Sequence, residues 1–196
     1  PYAYLTAKEL LLDCIRLGVQ ISHDRQWHPD FLVALWPGGV LAGLPVHEVY
    51  KYTLRKLSID RRTPDHISVN TSPTGVSYLN QIVGLQYLAD HVNKDDKLLI
   101  IDTTFRAGRL VNDLVIRLKE VLRRNLDHKS IRVASVYYNP EDRSTWTVRP
   151  DITRPHYYLK QTTKEVIYPA SVHKLPDPRR QLRQLNPELW QVLYGD

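Results

Sequence analysis

Cysteine is almost missing from this chain: Cys14 stands alone in 196 residues. One thiol cannot close an internal disulfide, so a reducing compartment, the cytoplasm, is the expectation. Cys14 also lies in an apolar-periodic stretch, where a small buried residue is a more natural reading than a nucleophile. No apolar run approaches the roughly 20 residues that a membrane-crossing helix needs. Pro1 to Leu12 lacks the basic-then-apolar order of a secretion signal, so a soluble chain with no membrane partner is expected. Neither sign of charge is scarce. The 27 basic and 21 acidic residues leave a net charge of +6, with a pI near 9.4. That excess suits anionic ligands in general, from polyphosphates to RNA or DNA, but the basic residues are scattered and cluster only at Arg179, Arg180 and Arg183. With 42% hydrophobic residues, this length suits one domain with a sizeable core.

Hydrophobic periodicity supplies an order of elements. Leu10, Leu11, Cys14, Ile15 and Leu17 recur at helical spacing in Ala7 to Gly18, with Thr6 as N-cap and Gly18 as stop. Phe31 to Trp36 reads as an apolar strand, Pro37-Gly38-Gly39 as a loop, and Val40 to Tyr50 as a helix that contains Pro45. His66 to Asn70 alternates as a strand, Thr71 to Ser77 is rich in turn residues, and Leu79 to Val92 is helical in pattern. Ile131 to Tyr138 is another strand, followed by an irregular polar stretch from Pro140 to Pro155 and a short strand at Lys164 to Tyr168. Alternating strands and helices predict an α/β fold with a mainly parallel sheet covered on both faces. Ligands then bind beyond the carboxyl ends of the strands. Pro176 to Arg183 is proline-bearing and basic. Leu185, Leu189, Trp190, Val192 and Leu193 make an amphipathic segment after it, which docks on the domain or on a neighbouring subunit, or recruits a partner.

The stretch KLLIIDTTFRAGRL, Lys97 to Leu110, has the layout of a phosphate-cradling strand, loop and helix. Leu98 to Ile101 is an unbroken apolar run, as a strand buried on both faces requires, and Asp102 is read as its end. Thr103 to Gly108 would form the turn, and Leu110, Leu114, Val115, Leu118, Val121 and Leu122 the helix. Unpaired amides and the positive dipole end at such a helix start favour an anion, and Gly108 would let backbone approach it. Ordinary α/β connections share these features.

This segment and several others, in the same order, resemble the type I phosphoribosyltransferases, most closely the bacterial and archaeal hypoxanthine and xanthine enzymes. The resemblance runs from about Leu5 to Leu175 and implies a central parallel sheet flanked by helices, with a small hood at about 139–175 in a domain of 1–175; residues 176–196 form a separate tail. WPGG, Trp36 to Gly39, is similar to the pyrophosphate loop, with Pro37 in place of a basic residue. Proline makes a cis peptide accessible at Trp36-Pro37, and Gly38 and Gly39 can still offer amides. The alternative is an ordinary glycine turn. In the ribose-phosphate motif the resemblance places Asp102 on the ribose as the first of two acids. Thr103 replaces the second acid and Thr104 follows; Arg106 replaces the proton-accepting Asp; and Ala107, Gly108, Arg109 and Leu110 occupy the phosphate loop. Arginine stays protonated, so Arg106 can grip phosphate or carboxylate but cannot accept a proton. Arg106 and Arg109 either replace the lost hydroxyl donors or are solvated loop residues.

Asp65 to Gly75 is similar to the strand and mobile loop over the active site, with Pro73 where an aromatic is usual. Asn139 stands where a lysine reads the purine. Arg154 to Leu175 is similar to the hood, where Glu165 holds the position of the stacking aromatic; Asn139 and Val166 are the base-side candidates. Tyr157, Tyr158 and Tyr168 are candidates for core packing or for replacing that aromatic. The resemblance allows Mg²⁺ as cofactor and implies phosphoribosyl pyrophosphate or a nucleoside monophosphate as ligand, with a homodimer as assembly. Loss of a positioned acid or base costs about 10²–10⁴ in rate, which argues against ordinary purine salvage. Three readings follow: a divergent transferase acting on an unusual acceptor, a noncatalytic nucleotide or phosphate binder that regulates or scaffolds, and, third, an RNA-binding regulator.

Overall fold

The structure, a computed structural model, describes residues 2–70, 82–122, 127–140 and 152–195. Its elements are β1 (Tyr2–Tyr4), α1 (Ala7–Ser22), β2 (Phe31–Leu35), α2 (Gly38–Lys56), β3 (Asp65–Val69), α3 (Leu85–His91), β4 (Leu98–Arg106), α4 (Arg109–Leu122), β5 (Ile131–Asn139), β6 (Tyr157–Gln161), β7 (Glu165–Ile167), α5 (Pro178–Leu185) and α6 (Pro187–Tyr194). The chain divides into two compact units, residues 13–163 and residues 1–12 with 164–196. No described helix is long and apolar enough to cross a membrane.

The larger unit is built on a five-stranded sheet of order β3-β2-β4-β5-β6, parallel throughout. Leu98, Leu99, Ile100 and Ile101 are fully buried because β4 is central and covered on both faces. One face packs under α3 and α4, where Leu88, Val111, Leu114, Val115 and Leu118 meet Phe31, Val33, Ile100 and Val133. The other lies under α2, whose Gly43 approaches Ala34. Helix α1 does not stop at Gly18. It runs on to Ser22, because Gly18 serves helix packing: a Cβ there would sit 2.9 Å from Val49 Cβ and 3.1 Å from Val46 Cα of α2. Helix α2 likewise extends beyond Val40 to Tyr50 at both ends and accommodates Pro45. Helix α3 starts only at Leu85, since Val83 bridges Asn70 and Gly84 is left-handed. The turn-rich residues 71–77 lie outside the described residues.

Polar groups lock the sheet to its surroundings. Asp13 on α1, almost wholly buried, accepts from Lys160 Nζ at 2.5 Å and from Arg16 Nη1 at 2.9 Å. Burial and the neighbouring Asp13 push the Cys14 thiol up to about 12, so it stays protonated, in keeping with a packing role. At the amino-terminal end of β5, Arg132 donates to Asp24 and to the Tyr157 hydroxyl, which itself donates to Asp24 at 2.8 Å. Burial alone would raise the Asp24 carboxyl, but the Tyr157 and Arg132 hydrogen bonds outweigh it and hold it low. Tyr157 is therefore a core residue, as the packing alternative held. Beside it, His156 Nδ1 accepts from the Val133 amide at 3.1 Å, which requires a neutral ring nitrogen.

In the smaller unit, β1 and β7 pair in parallel, Tyr2 opposite Glu165 and Tyr4 opposite Ile167. Thr6 and Glu9 form a capping box at the start of α1, with Thr6 N to Glu9 Oε2 at 2.8 Å and Glu9 N to Thr6 Oγ1 at 3.3 Å. The tail folds as two helices, and Leu185, read with the amphipathic segment, ends the first of them. Asp177 and Asn186 cap them, and Pro178 and Pro187 occupy their first turns, where a missing N–H costs nothing. Leu182 is fully buried with Ile167 and Leu175, and Tyr2, Leu189 and Trp190 pack against them, so the tail docks on the β1–β7 pair.

Burial first, then the Arg132 and Arg154 charges, depresses the folded-state pKa of His156 below 6.5. Burial and Arg61 do the same for His28. A depressed pKa contributes stability that is present above the unfolded value and is lost as pH falls through the folded value. Urea midpoints should therefore fall as pH drops from 6.5. His156→Gln should flatten that decline in part, and His28→Gln together with it should flatten it further. An unaltered slope in the double variant would contradict this account.

Candidate functional site

The carboxyl edge of the sheet begins where β2 ends. The Trp36 amide donates to Val69 O at 2.8 Å, the Trp36-Pro37 peptide is cis, as the sequence allowed, and α2 starts at once with Gly38. Both glycines are dictated by closeness to β4. A Cβ on Gly39 would lie 2.2 Å from Ile101 O, and one on Gly38 would lie 2.6 Å from Thr103 Oγ1 and 3.3 Å from Asp102 Oδ1. The first turn of α2, with its unpaired amides and positive dipole end, is thereby set against Asp102 and Thr103. Asp102 Oδ1 accepts from the Thr103 amide at 2.7 Å. Thr103 is buried against Gly38.

Asp102 does not end its strand. β4 continues to Arg106, paired with β5 as Asp102 opposite Ser135, Thr104 opposite Tyr137 and Arg106 opposite Asn139. Its pairing with β2, however, stops at Ala34 opposite Ile101. Asp102 thus marks the point where one neighbouring strand leaves. From there burial alternates: Thr103 and Phe105 point inward, Asp102 and Thr104 are half-buried, and Arg106 is exposed. Alternating β-branched and aromatic residues suit a strand with one face open, which is why the expected turn from Thr103 shrinks to Ala107 and Gly108. Phe105, Tyr138 and Tyr158 form an aromatic row across β4, β5 and β6, with ring centroids 6.0 and 5.3 Å apart.

The turn itself is left-handed twice, at Ala107 (φ 46°) and Gly108 (φ 70°), and the Gly108 amide folds back to Arg106 O. Gly108 is required here. A Cβ would meet Phe105 Cζ at 2.4 Å. Asn112, a residue that sequence pattern alone does not single out, holds this turn from inside α4. Its Nδ2 donates to Gly108 O at 2.8 Å and to Ile152 O at 2.9 Å, while its Oδ1 accepts from the Ile152 amide at 3.0 Å. The available signal was an amide side chain four residues after a glycine in a helix's first turn, positioned to bond the carbonyl one turn back.

The structure brings Gly38, Gly39, Asp102 and Thr103 together, and sets Thr104 and Arg106 beside Tyr137 and Asn139. The α4 start carries Arg109 and Leu110. Arg109 Nε lies 3.9 Å from Asp113 Oδ2 in an exposed pair along its own helix, an interaction of little energy. Asn139 is buried at its strand end. Val166 is buried in β7 opposite Ala3, in the smaller unit. The loop expected at residues 71–75 falls within 71–81, and these residues and 141–151 lie outside the described residues. Among the described residues, no group of three or more His, Cys, Asp or Glu could hold a metal ion.

No protein-family model matches this sequence, and no curated protein does. Solved structures do match. The purine phosphoribosyltransferase from Pyrococcus horikoshii Ot3 is similar over 90% of this chain and 97% of that one, with a TM-score of 0.59 at 16% identity. A hypoxanthine phosphoribosyltransferase from Staphylococcus aureus is similar over 82% and 77%, with a TM-score of 0.54 at 17% identity. A hypothetical protein from Neisseria gonorrhoeae with bound ppGpp is similar over 93% and 94%, with a TM-score of 0.60 at 14% identity. The chain has the phosphoribosyltransferase fold, as the sequence resemblance implied.

The glycine contacts make a direct test of this geometry. Gly39→Ala should destabilise the protein by about 1–3 kcal/mol, the cost of forcing extra volume into a packed interior. In urea this is read as a lower midpoint at unchanged slope. A midpoint equal to the parent's would mean that the α2 start is not pressed against Ile101.

Proposed function

We propose that this chain binds a phosphoribosyl or nucleotide ligand at the carboxyl edge of its sheet, and transfers the phosphoribosyl group to or from an acceptor other than an ordinary purine. The observation that carries this reading is the contact of the Gly38–Gly39 turn with Asp102 and Thr103, which puts helix-start amides beside a carboxylate in a fold shared with phosphoribosyltransferases. In this reading Asp102 accepts hydrogen bonds from the ribose hydroxyls. The amides at Gly38 and Gly39 face one phosphate group, and those from Gly108 to Leu110 another. Arg106, exposed at the end of β4, supplies positive charge to an anionic acceptor or phosphate.

Transfer of this kind builds charge at the sugar while the diphosphate leaves, so positioning and electrostatics supply the rate. Arg106 cannot take a proton from the acceptor. An acceptor that is already anionic needs no such base, which is what makes an acidic nucleophile the fitting partner. Mg²⁺ commonly binds through one or two carboxylates plus substrate phosphates. Asp102 can provide one such ligand, with the diphosphate supplying the others.

A second reading, a noncatalytic nucleotide binder, has its own support. The second acid position is a threonine buried against Gly38, and one structural neighbour holds ppGpp. Calorimetry against phosphoribosyl pyrophosphate with Mg²⁺, and against ppGpp and nucleoside monophosphates, with pyrophosphate release followed in parallel, separates the two. Binding with release on adding an acidic acceptor supports transfer. Binding without release under any acceptor supports the noncatalytic reading. No binding of any of these ligands overturns both. Asp102→Asn and Arg106→Ala should each weaken binding on the order of 10- to 100-fold, since a hydrogen bond to a charged group is worth about 1.5–3 kcal/mol.

A further inference from the structure

The basic cluster noted in the sequence folds into a shaped site on the smaller unit. Arg179, Arg180 and Arg183 on α5 and Trp190 and Tyr194 on α6 line an open groove of about 780 Å³. The arginines are exposed, and among the described residues none of the three forms an ion pair. Asp177 is the carboxylate in the lining, and its Oδ1 caps α5 by accepting from the Arg180 amide at 3.1 Å.

Two of the guanidinium groups are organised by the aromatic wall. Arg183 Cζ lies 4.8 Å from the Trp190 ring centroid and Arg179 Cζ lies 5.9 Å from that of Tyr194. A guanidinium held over a ring keeps its in-plane N–H donors for an oxyanion, with bidentate geometry suited to phosphate. The wall is itself anchored, because Trp190 Nε1 donates to Arg179 O at 2.8 Å. Residues 179 and 183 are four apart on one helix, so the two donors repeat about 6 Å along its axis.

The lining also discriminates between kinds of partner. It contains arginine, glutamine and aromatic residues and no Leu, Ile or Val; the exposed Leu185, Val192 and Leu193 lie outside it. Protein interfaces also favour arginine and aromatic residues, but around an apolar core that this lining lacks. A cationic groove bordered by aromatic rings is the arrangement that tracks a nucleic acid strand, with phosphates on the basic groups and bases against the rings. The chain's +6 charge adds long-range attraction for such a polyanion.

We infer that the α5–α6 groove binds single-stranded nucleic acid, its phosphates on the in-plane donors of Arg179, Arg180 and Arg183 and its bases beside the Arg183–Trp190 and Arg179–Tyr194 stacks. The site shares no residue with the carboxyl edge of the sheet and does not depend on the reading given for it. Fluorescence anisotropy of a short labelled oligouridine with the full chain, over a salt series, tests this. The double variant Arg179→Ala/Arg183→Ala should bind at least about tenfold more weakly, and the slope of log affinity against log salt should shrink by about 0.7 for each phosphate that is no longer neutralised. Arg180→Glu, at an exposed position, should weaken binding in the same direction. Asp102→Asn should leave oligouridine binding unchanged. The inference is overturned if the parent does not bind at low salt, if the double variant binds as tightly as the parent, or if uridine monophosphate displaces the strand at equal nucleotide concentration.

Discussion

The carboxyl edge of this protein depends on a backbone contact that leaves no room for a side chain. Where α2 begins, Gly39 lies so near the Ile101 carbonyl that a methyl group would overlap it, and Gly38 lies nearly as close to Thr103. This proximity lets the end of β2 turn directly into a helix beside β4, and it brings together residues more than sixty positions apart in the chain. Remove the contact, and the α2 amides and the Asp102 carboxylate no longer share a site. The fold's division of labour follows: buried aliphatic residues of β2, β4 and β5 hold the frame, and the strand ends carry the polar groups.

On that frame the polar groups sit at the strand ends and in the turns that lead into the helices. Asp102 and Thr103 meet the start of α2, and Arg106 stands exposed at the end of β4. The turn after β4 is braced internally, by Asn112 bonding both Gly108 and Ile152. A turn held in this way is preorganised. The same logic recurs at α5 and α6, where ring faces hold guanidinium groups in position.

Much of this was legible in the sequence wherever local pattern decides structure. The apolar runs at Phe31 and Leu98 announced buried parallel strands, and Thr6 announced a helix start. Pattern failed where a residue's role is set by distant neighbours. Gly18 looked like a helix stop because nothing local says that Val46 and Val49 need the space it leaves. Asp102 looked like a strand end because a carboxylate seldom continues a buried run; the alternation of Thr103, Thr104 and Phe105 carried the opposite message. The cap-and-proline pairs Asp177-Pro178 and Asn186-Pro187 mark two helix starts, whereas hydrophobic spacing grouped Leu185 with the second helix although it ends the first. At the candidate site, proximity of the WPGG turn to Asp102 was available only through resemblance to a family. The link from Asn112 to Ile152, forty residues away, has no local signature.

The pairing of β1 with β7 imposes an order on folding. The strands of the larger unit lie within residues 13–163 and find their partners among one another. Tyr2–Tyr4, by contrast, has its partner at Glu165–Ile167, more than 160 residues later, and Tyr2 and Tyr4 then pack with Leu182. During synthesis β1 therefore emerges well before the strand that receives it. Until then its edge and its two tyrosines stay uncovered, and closure of a long loop must wait until β7 and α5 have been made. The small unit joins distant segments of one chain, and its assembly is a late, long-range event.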